Sequence, residues 1–162
     1  MKKGKILFIY HKIIGKSANT ISEHIHSFEK YSEFEIVYIN TELGFPKVIR
    51  NLDFSVIVLH YSLFGRGHKY ELSNKFLNFL LSQKKSLKIA FFQDEYHYCQ
   101  KRFDFINCYS IDMVYTLVES AYFHETYEKH TNAKVVYNIP GYVEYDLIEK
   151  AQKYSKPFID RE

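Results

Sequence analysis

Six short apolar runs, each followed by polar or helix-like sequence, limit what this chain can fold into. They are residues 5–10 (KILFIY), 34–40 (FEIVYIN), 54–60 (FSVIVLH), 88–94 (KIAFFQD), 111–117 (IDMVYTL) and 133–139 (AKVVYNI). Most are apolar nearly throughout instead of alternating, so both faces of each strand need cover. A parallel sheet with helices on both sides meets that condition, and such a sheet binds ligands in the crevice at the carboxyl ends of its strands. The fold expected is α/β: a Rossmann-like, doubly wound, mainly parallel six-stranded sheet.

Helical periodicity fills the gaps. Residues 17–31 place Ala18, Ile21, Ile25 and Phe28 on one face, with Ser17 as the expected N-cap. Residues 70–83 carry the stripe Leu72, Phe76, Phe79 and Leu80, and shorter helices are expected over 96–109 and 120–130, the latter opened by Ser120. A last helix over 144–154 presents Leu147, Ile148 and Ala151 and stops ahead of Pro157. Gly44 and Pro46 mark a loop followed by a short helix or turn. One Rossmann-like domain is expected over 1–155, with 156–162 read as the start of a connection to a further domain.

At 162 residues the chain is long enough to bury about 70% of its unfolded surface without staples. Its aromatic content is 15 Tyr and 14 Phe with no Trp, and tyrosines suit the edges of a core, where the hydroxyl reaches a polar partner. A net charge of +3 tolerates phosphates but is too small to argue for a nucleic-acid protein. The apolar part of MKKGKILFIYHK spans only about five residues, too short for a signal peptide, and no tract approaches the roughly 18 apolar residues of a membrane span. Cys99 and Cys108 lie nine positions apart in one expected helix, about 13 Å of rise, too far for a disulfide. With no Cys-x-x-Cys pair either, both read as buried or half-buried free thiols of a cytoplasmic protein.

The residues that carry chemistry fall where strands end. After the first strand, His11-Lys12-Ile13-Ile14-Gly15-Lys16-Ser17 precedes a helix. A phosphate-binding P-loop needs a glycine five residues before Gly15, where Tyr10 stands, and the dinucleotide fingerprint needs more than one glycine. Both motifs fail. Gly15, Lys16 and Ser17 remain as candidates for meeting an anion at a helix N-terminus, with an ordinary turn and cap as the plainer alternative. The third strand ends in His60 and Tyr61, on the expected ligand-binding rim and ahead of the glycine-containing stretch Gly65-Arg66-Gly67.

The fourth strand ends in Gln93-Asp94-Glu95-Tyr96-His97, the densest group of reactive side chains. Two carboxylates and a histidine there can orient hydroxyl groups or act as a general base, so Asp94, Glu95 and His97 are the catalytic candidates and Gln93 a substrate-binding one. The alternative is that Asp94 and Glu95 cap the next helix. Glu119, after the fifth strand, is a further substrate-binding candidate, while Pro140-Gly141 after the sixth reads as turn chemistry. No second carboxylate cluster accompanies Asp94 and Glu95, so no metal site is expected. Arg66, Lys69, Lys75, Lys84, Lys85 and Lys88 gather around the helix before the fourth strand; they read as a solvated face, with contact to an anionic membrane surface as the lesser alternative.

Along its whole length the chain resembles the N-terminal domain of GT-B glycosyltransferases, the retaining, nucleotide-sugar-dependent kind that builds polysaccharides and glycolipids. KILFIYHK with SANTISEHIHSFEK is similar to that family's first strand, loop and helix, where a histidine on the helix is common, and FEIVYIN to its second strand. FSVIVLHYS is similar to the strand ending in histidine, KIAFFQDEYHY to the strand whose end carries a His-Asp or similar pair, and IDMVYTLVES to the strand before a Ser-capped helix. AKVVYNIPGYV resembles the closing Pro-Asn-Gly turn with its order changed. The resemblance implies an acceptor-binding domain that needs no cofactor, with the nucleotide-sugar co-substrate held by a second Rossmann-like domain. It places Gly15 and Lys16 toward the donor phosphates and Gln93, Asp94 and His97 on the acceptor side. The donor half's signature, two glutamates with seven residues between them, has no counterpart here.

The function expected is transfer of a sugar from a nucleotide donor to a saccharide or lipid-linked hydroxyl. The protein would act in the cytoplasm or at the inner face of a membrane, and residues 1–162 alone would be inactive. The alternatives are a stand-alone Rossmann-like module that binds a small ligand without chemistry and, less favoured, a degenerate nucleotide-binding fold related to P-loop proteins.

Overall fold

The computed structural model describes residues 4–65, 70–93, 95, 97–119, 121–137 and 145–154. All six apolar runs contribute strands to one parallel sheet: β1 (Lys5–Tyr10), β2 (Glu35–Asn40), β3 (Val56–Leu59), β4 (Leu87–Phe91), β5 (Met113–Thr116) and β6 (Lys134–Tyr137). Among the described residues five α-helices accompany them: α1 (Asn19–Tyr31), α2 (Asn74–Ser82), α3 (Cys99–Tyr109), α4 (Ala121–His130) and α5 (Tyr145–Tyr154). Single 3-10 turns lie at Thr41–Leu43, Lys47–Asn51 and Tyr61–Phe64. This is the doubly wound α/β architecture that the apolar runs demand.

The first strand shows why both faces need cover. Leu7 and Ile9 point to one face and Phe8 to the other, and all three are fully buried. The Leu7 face, continued by Ile57, Leu59, Ala90 and Val114, packs under α2, α3 and α4 through Phe76, Leu80, Phe105, Ile106 and Tyr127. On the other face Phe8 and Val58 pack under α1 through Ile21, Ile25 and Phe28. Each fully buried aliphatic or Phe side chain contributes about 1.5–3 kcal/mol, so neither helical layer is dispensable.

The strand order, β2-β1-β3-β4-β5-β6, reverses once. From β1 the chain steps outward to β2 and then returns to the other side of β1 as β3. Ligands of such sheets bind at the carboxyl ends of the strands where the order reverses, here the β1/β3 pair. That point is one strand away from the end of β4, where the sequence concentrates Asp94, Glu95 and His97.

Three helix starts differ from the periodic pattern, each for a local reason. α1 begins at Asn19 with Ala18 as N-cap, because the Ser17 hydroxyl accepts from the Ile13 N–H (3.0 Å) instead of capping. α2 begins at Asn74, since the Glu71 N–H bonds the Leu63 carbonyl (2.9 Å) and Tyr70 packs edge-on against Phe64 and Phe105, holding 70–73 outside the helix. α3 begins at Cys99, after the left-handed backbone of Tyr98 (φ 57°). The Ser120 cap, the Pro140-Gly141 turn, Arg66, Lys69 and the connection over 156–162 lie outside the described residues.

Two expectations about side chains are corrected. Cys108 is exposed on α3 while Cys99 is half-buried, its thiol donating to the Glu95 carbonyl (3.1 Å). Lys88 is not part of a solvated basic face: it is buried on β4, its Nζ donating to the Tyr109 carbonyl (3.0 Å) at the end of α3, where a cation complements the helix dipole. Among the described residues no helix is long and apolar enough to cross a membrane.

Candidate functional site

At the switch between β1 and β3 the two strand ends are joined by side chains. His60 follows β3, and its N–H continues the ladder to the Ile9 carbonyl (2.9 Å). Ser62, in the next turn, accepts at Oγ from the His11 N–H just past β1 (2.9 Å). The same hydroxyl lies 2.8 Å from His60 Nδ1, and the Ser62 N–H also donates to that nitrogen (3.1 Å). A backbone donor leaves Nδ1 only one role, that of acceptor. The His60 proton therefore sits on Nε2, which faces His24 Nδ1 on α1 at 2.9 Å.

The chain of consequences continues one step. His24 accepts at Nδ1, so its neutral ring carries a proton on Nε2, and among the described residues nothing hydrogen-bonds that nitrogen. Burial lowers the pKa of His24 and drives that of His60 well below its ordinary value, with the nearby His24 adding to the effect. The pair is thus neutral near pH 7 and leaves the Nε2–H of His24 as a donor with no hydrogen-bond partner among the described residues. Tyr61 stacks on the His24 ring (5.5 Å, 25°), and Phe28 and Phe91 meet it edge-on.

The rim on the β1 side is tied just as closely. Asn40, the last residue of β2, accepts at Oδ1 from the Lys12 N–H (3.0 Å) and donates from Nδ2 to the Lys12 carbonyl (2.7 Å). His11 Nδ1 lies 3.0 Å from Thr41 Oγ1. Beyond Lys12 the loop turns back at Gly15 (φ 75°), and the N–H groups of Lys16 and Ser17 both donate to the Ile13 carbonyl (3.2 Å each). Gly15 and Lys16 are exposed on this loop, whereas the Ser17 hydroxyl is engaged within it.

The β4–α3 segment is built differently. Glu95 is buried, and its carboxylate accepts from Thr116 Oγ1 (2.6 Å), the Leu117 N–H (3.2 Å) and the Tyr127 hydroxyl (2.6 Å). It caps no helix; it pins the end of β4 to β5 and α4. Burial and the adjacent carboxylate push the Tyr127 phenol far up, which keeps it a donor. Arg102, buried on α3, grips the segment from the other side through the carbonyls of His97 (2.6 Å) and Gln93 (3.1 Å) and lies over the Phe92 ring. Gln93 and His97 are exposed at residue level, and Asp94 lies outside the described residues.

Of the sequence candidates, His60 and Tyr61 stand at the switch, and Gly15, Lys16 and Ser17 lie on the loop that leaves β1 there. Gln93, Glu95 and His97 share the β4–α3 segment, and Glu119 is exposed beyond β5, one strand further out. The residues not picked individually are His24, Ser62, Asn40 and Arg102. His24 had a signal: it falls at helical spacing from Ile21 and Phe28, on the apolar face of α1. Among the described residues no group of three or more His, Cys, Asp or Glu could hold a metal ion. A hollow of about 470 Å³ between the ends of α3 and α4, lined by Asn107, Asp112, Glu128 and His130, opens at the opposite, amino edge of the sheet. The crevice rule and the histidine string both favour the carboxyl edge over it. No family model matches the chain, and neither does any curated protein or solved structure.

Proposed function

We propose that this chain is the acceptor-side, Rossmann-like half of a nucleotide-sugar-dependent glycosyltransferase, with the acceptor hydroxyl received at the β1/β3 crevice. One observation carries the reading: a neutral imidazole, His24, held as a hydrogen-bond donor beside an aromatic ring at the strand-order switch. A saccharide suits that pair of surfaces, because its hydroxyl oxygens accept hydrogen bonds and its C–H faces lie well on aromatic rings. Held as a donor, His24 positions the acceptor oxygen without taking its proton, which passes to the leaving diphosphate oxygen. Rate enhancement then comes from aligning two substrates and from electrostatic stabilisation of the leaving diphosphate. In this reading a second domain holds the donor, Gly15 and Lys16 face its phosphates, and Gln93, Asp94 and His97 line the acceptor side.

The test is a titration with mono- and disaccharides, glycolipid headgroups and nucleotide-sugars, followed by the imidazole C2–H NMR signals assigned through His24→Gln and His60→Gln. Saccharide-induced movement of the His24 signal is expected. Movement caused by nucleotide-sugars alone would make this the donor side, and movement caused only by other small molecules would favour a stand-alone ligand-binding module. A panel that moves neither signal removes the crevice from the proposal.

A further inference from the structure

We infer that the rim formed by the β1–α1 loop and the turn after β2 docks on an anionic lipid surface. Ile14 and Leu43 are the two most exposed large hydrophobic side chains among the described residues, at 81% and 79%, and Ile13 beside them is also exposed. They sit on neighbouring loops, because β1 and β2 are paired in register through Tyr10 and Asn40 and the Asn40 side chain ties the two loops together. Both tips are held in place: Ile13 by the bonds from Lys16 and Ser17, Leu43 by a 3-10 turn that Asn40 caps. Insertion of such tips into a headgroup layer needs no ordering of the chain first.

The charge around the tips settles the kind of partner. Lys12 and Lys16 flank the isoleucines and Lys47 follows Leu43 four residues on, and among the described residues none of the three is in an ion pair. The opposing charge is Glu42, which lies 3.8 Å from His11. Within residues 11–17 and 41–47, three lysines stand against one carboxylate, a balance that favours an anionic surface. Protein hot spots are built from Trp, Tyr and Arg seated in pockets, whereas branched aliphatics on projecting loops ringed by lysines suit the interfacial layer of a membrane. This site differs from the α2 face, where the burial of Lys88 removes one of the cations that the sequence gathers there.

Pelleting the full chain with phosphatidylcholine vesicles, with and without phosphatidylglycerol, decides the matter. The bound fraction should rise with phosphatidylglycerol and fall as salt is added, and each lysine removed from the pair Lys12 and Lys47 should weaken binding about five-fold. The double variant Ile14→Ser/Leu43→Ser should bind both kinds of vesicle more weakly while keeping its preference for phosphatidylglycerol, with an unchanged circular dichroism spectrum and melting temperature. Wild-type protein that does not pellet with anionic vesicles overturns the inference. So does an Ile14→Ser/Leu43→Ser variant that pellets as well as wild type, which would move the contact to the α2 lysines. A dimer in light scattering that the double variant abolishes, without vesicle binding, would assign the patch to a second copy of the chain. No sugar enters this readout, and Lys16 is the one residue it shares with the proposed donor contact, so the Lys12 and Lys47 variants keep the two readings apart.

Discussion

His24 Nδ1 lies 2.9 Å from His60 Nε2, and this one bond ties α1 to the carboxyl end of β3. Both rings are held neutral by burial, with folded pKa values below 6.5. As pH falls through about 6.5 the unfolded chain takes up protons at these two sites and the folded chain does not. Their contribution to stability is therefore complete above 6.5 and is lost progressively as pH falls toward the folded values. Urea midpoints measured from pH 7.5 down to 5.5 should drop, and His60→Gln should show a shallower drop from a lower starting point. A wild-type midpoint that is flat across this range contradicts the neutral pair.

Asn40 holds Lys12 at both backbone groups and is the tie between the ends of β2 and β1. Asn40→Ala leaves a half-buried N–H and C=O without their partner and should cost about 1–2 kcal/mol in urea unfolding. Asn40→Asp retains the acceptor but sets a carboxylate oxygen against the Lys12 carbonyl, so it should be no better than alanine. Hydrogen exchange at the Lys12 amide should speed up in both variants, with core strand amides slowed or quickened only in step with global stability.

Glu95 separates a structural from a chemical reading of the β4 end. Its carboxylate has three donors from β5, the segment after it and α4, so Glu95→Ala strands all three and should destabilise by about 3 kcal/mol. Tyr127→Phe removes one donor and should cost about 1 kcal/mol. A Glu95→Ala protein with an unchanged melting temperature would mean that the carboxylate is not needed for the fold and would restore it as a candidate for direct chemistry. The expected loss makes it a positioning residue for the segment that carries Gln93 and His97.

The sheet was legible because burial on two faces forces uninterrupted apolar runs, and that constraint is written residue by residue, as in Leu7-Phe8-Ile9. The strand order was not written there: nothing local distinguishes a switch between β1 and β3 from one nearer β4. For that reason Asp94, Glu95 and His97 stood out by reactivity, while the site that topology builds relies on His24, 36 residues from its partner His60. Glu95 shows the second limit. A carboxylate beside a strand end reads the same whether it faces water or the hydroxyls of Thr116 and Tyr127, and only packing decides between them. The Ser17 hydroxyl fails as a cap for a similar reason, since the Ile13 N–H four residues before it competes successfully.

Gly4 and Gly15 should both resist alanine, but for different reasons that one rescue experiment separates. Gly15 has φ 75° and open space where a Cβ would stand, so Gly15→Ala suffers only from backbone strain, about 1 kcal/mol. Asparagine tolerates the left-handed region better, and Gly15→Asn should lose less. At Gly4 a Cβ would collide with the Ser55 side chain, where the Ser55 N–H pairs β3's approach with Lys5. Gly4→Ala should therefore cost about 1–3 kcal/mol as overpacking, and Gly4→Ala/Ser55→Gly should recover much of it in thermal melts. No neighbouring substitution can rescue Gly15→Ala, because no neighbour causes its cost. Recovery of Gly15→Ala by trimming a nearby side chain would show that the β1–α1 loop is packed and not held by its own backbone.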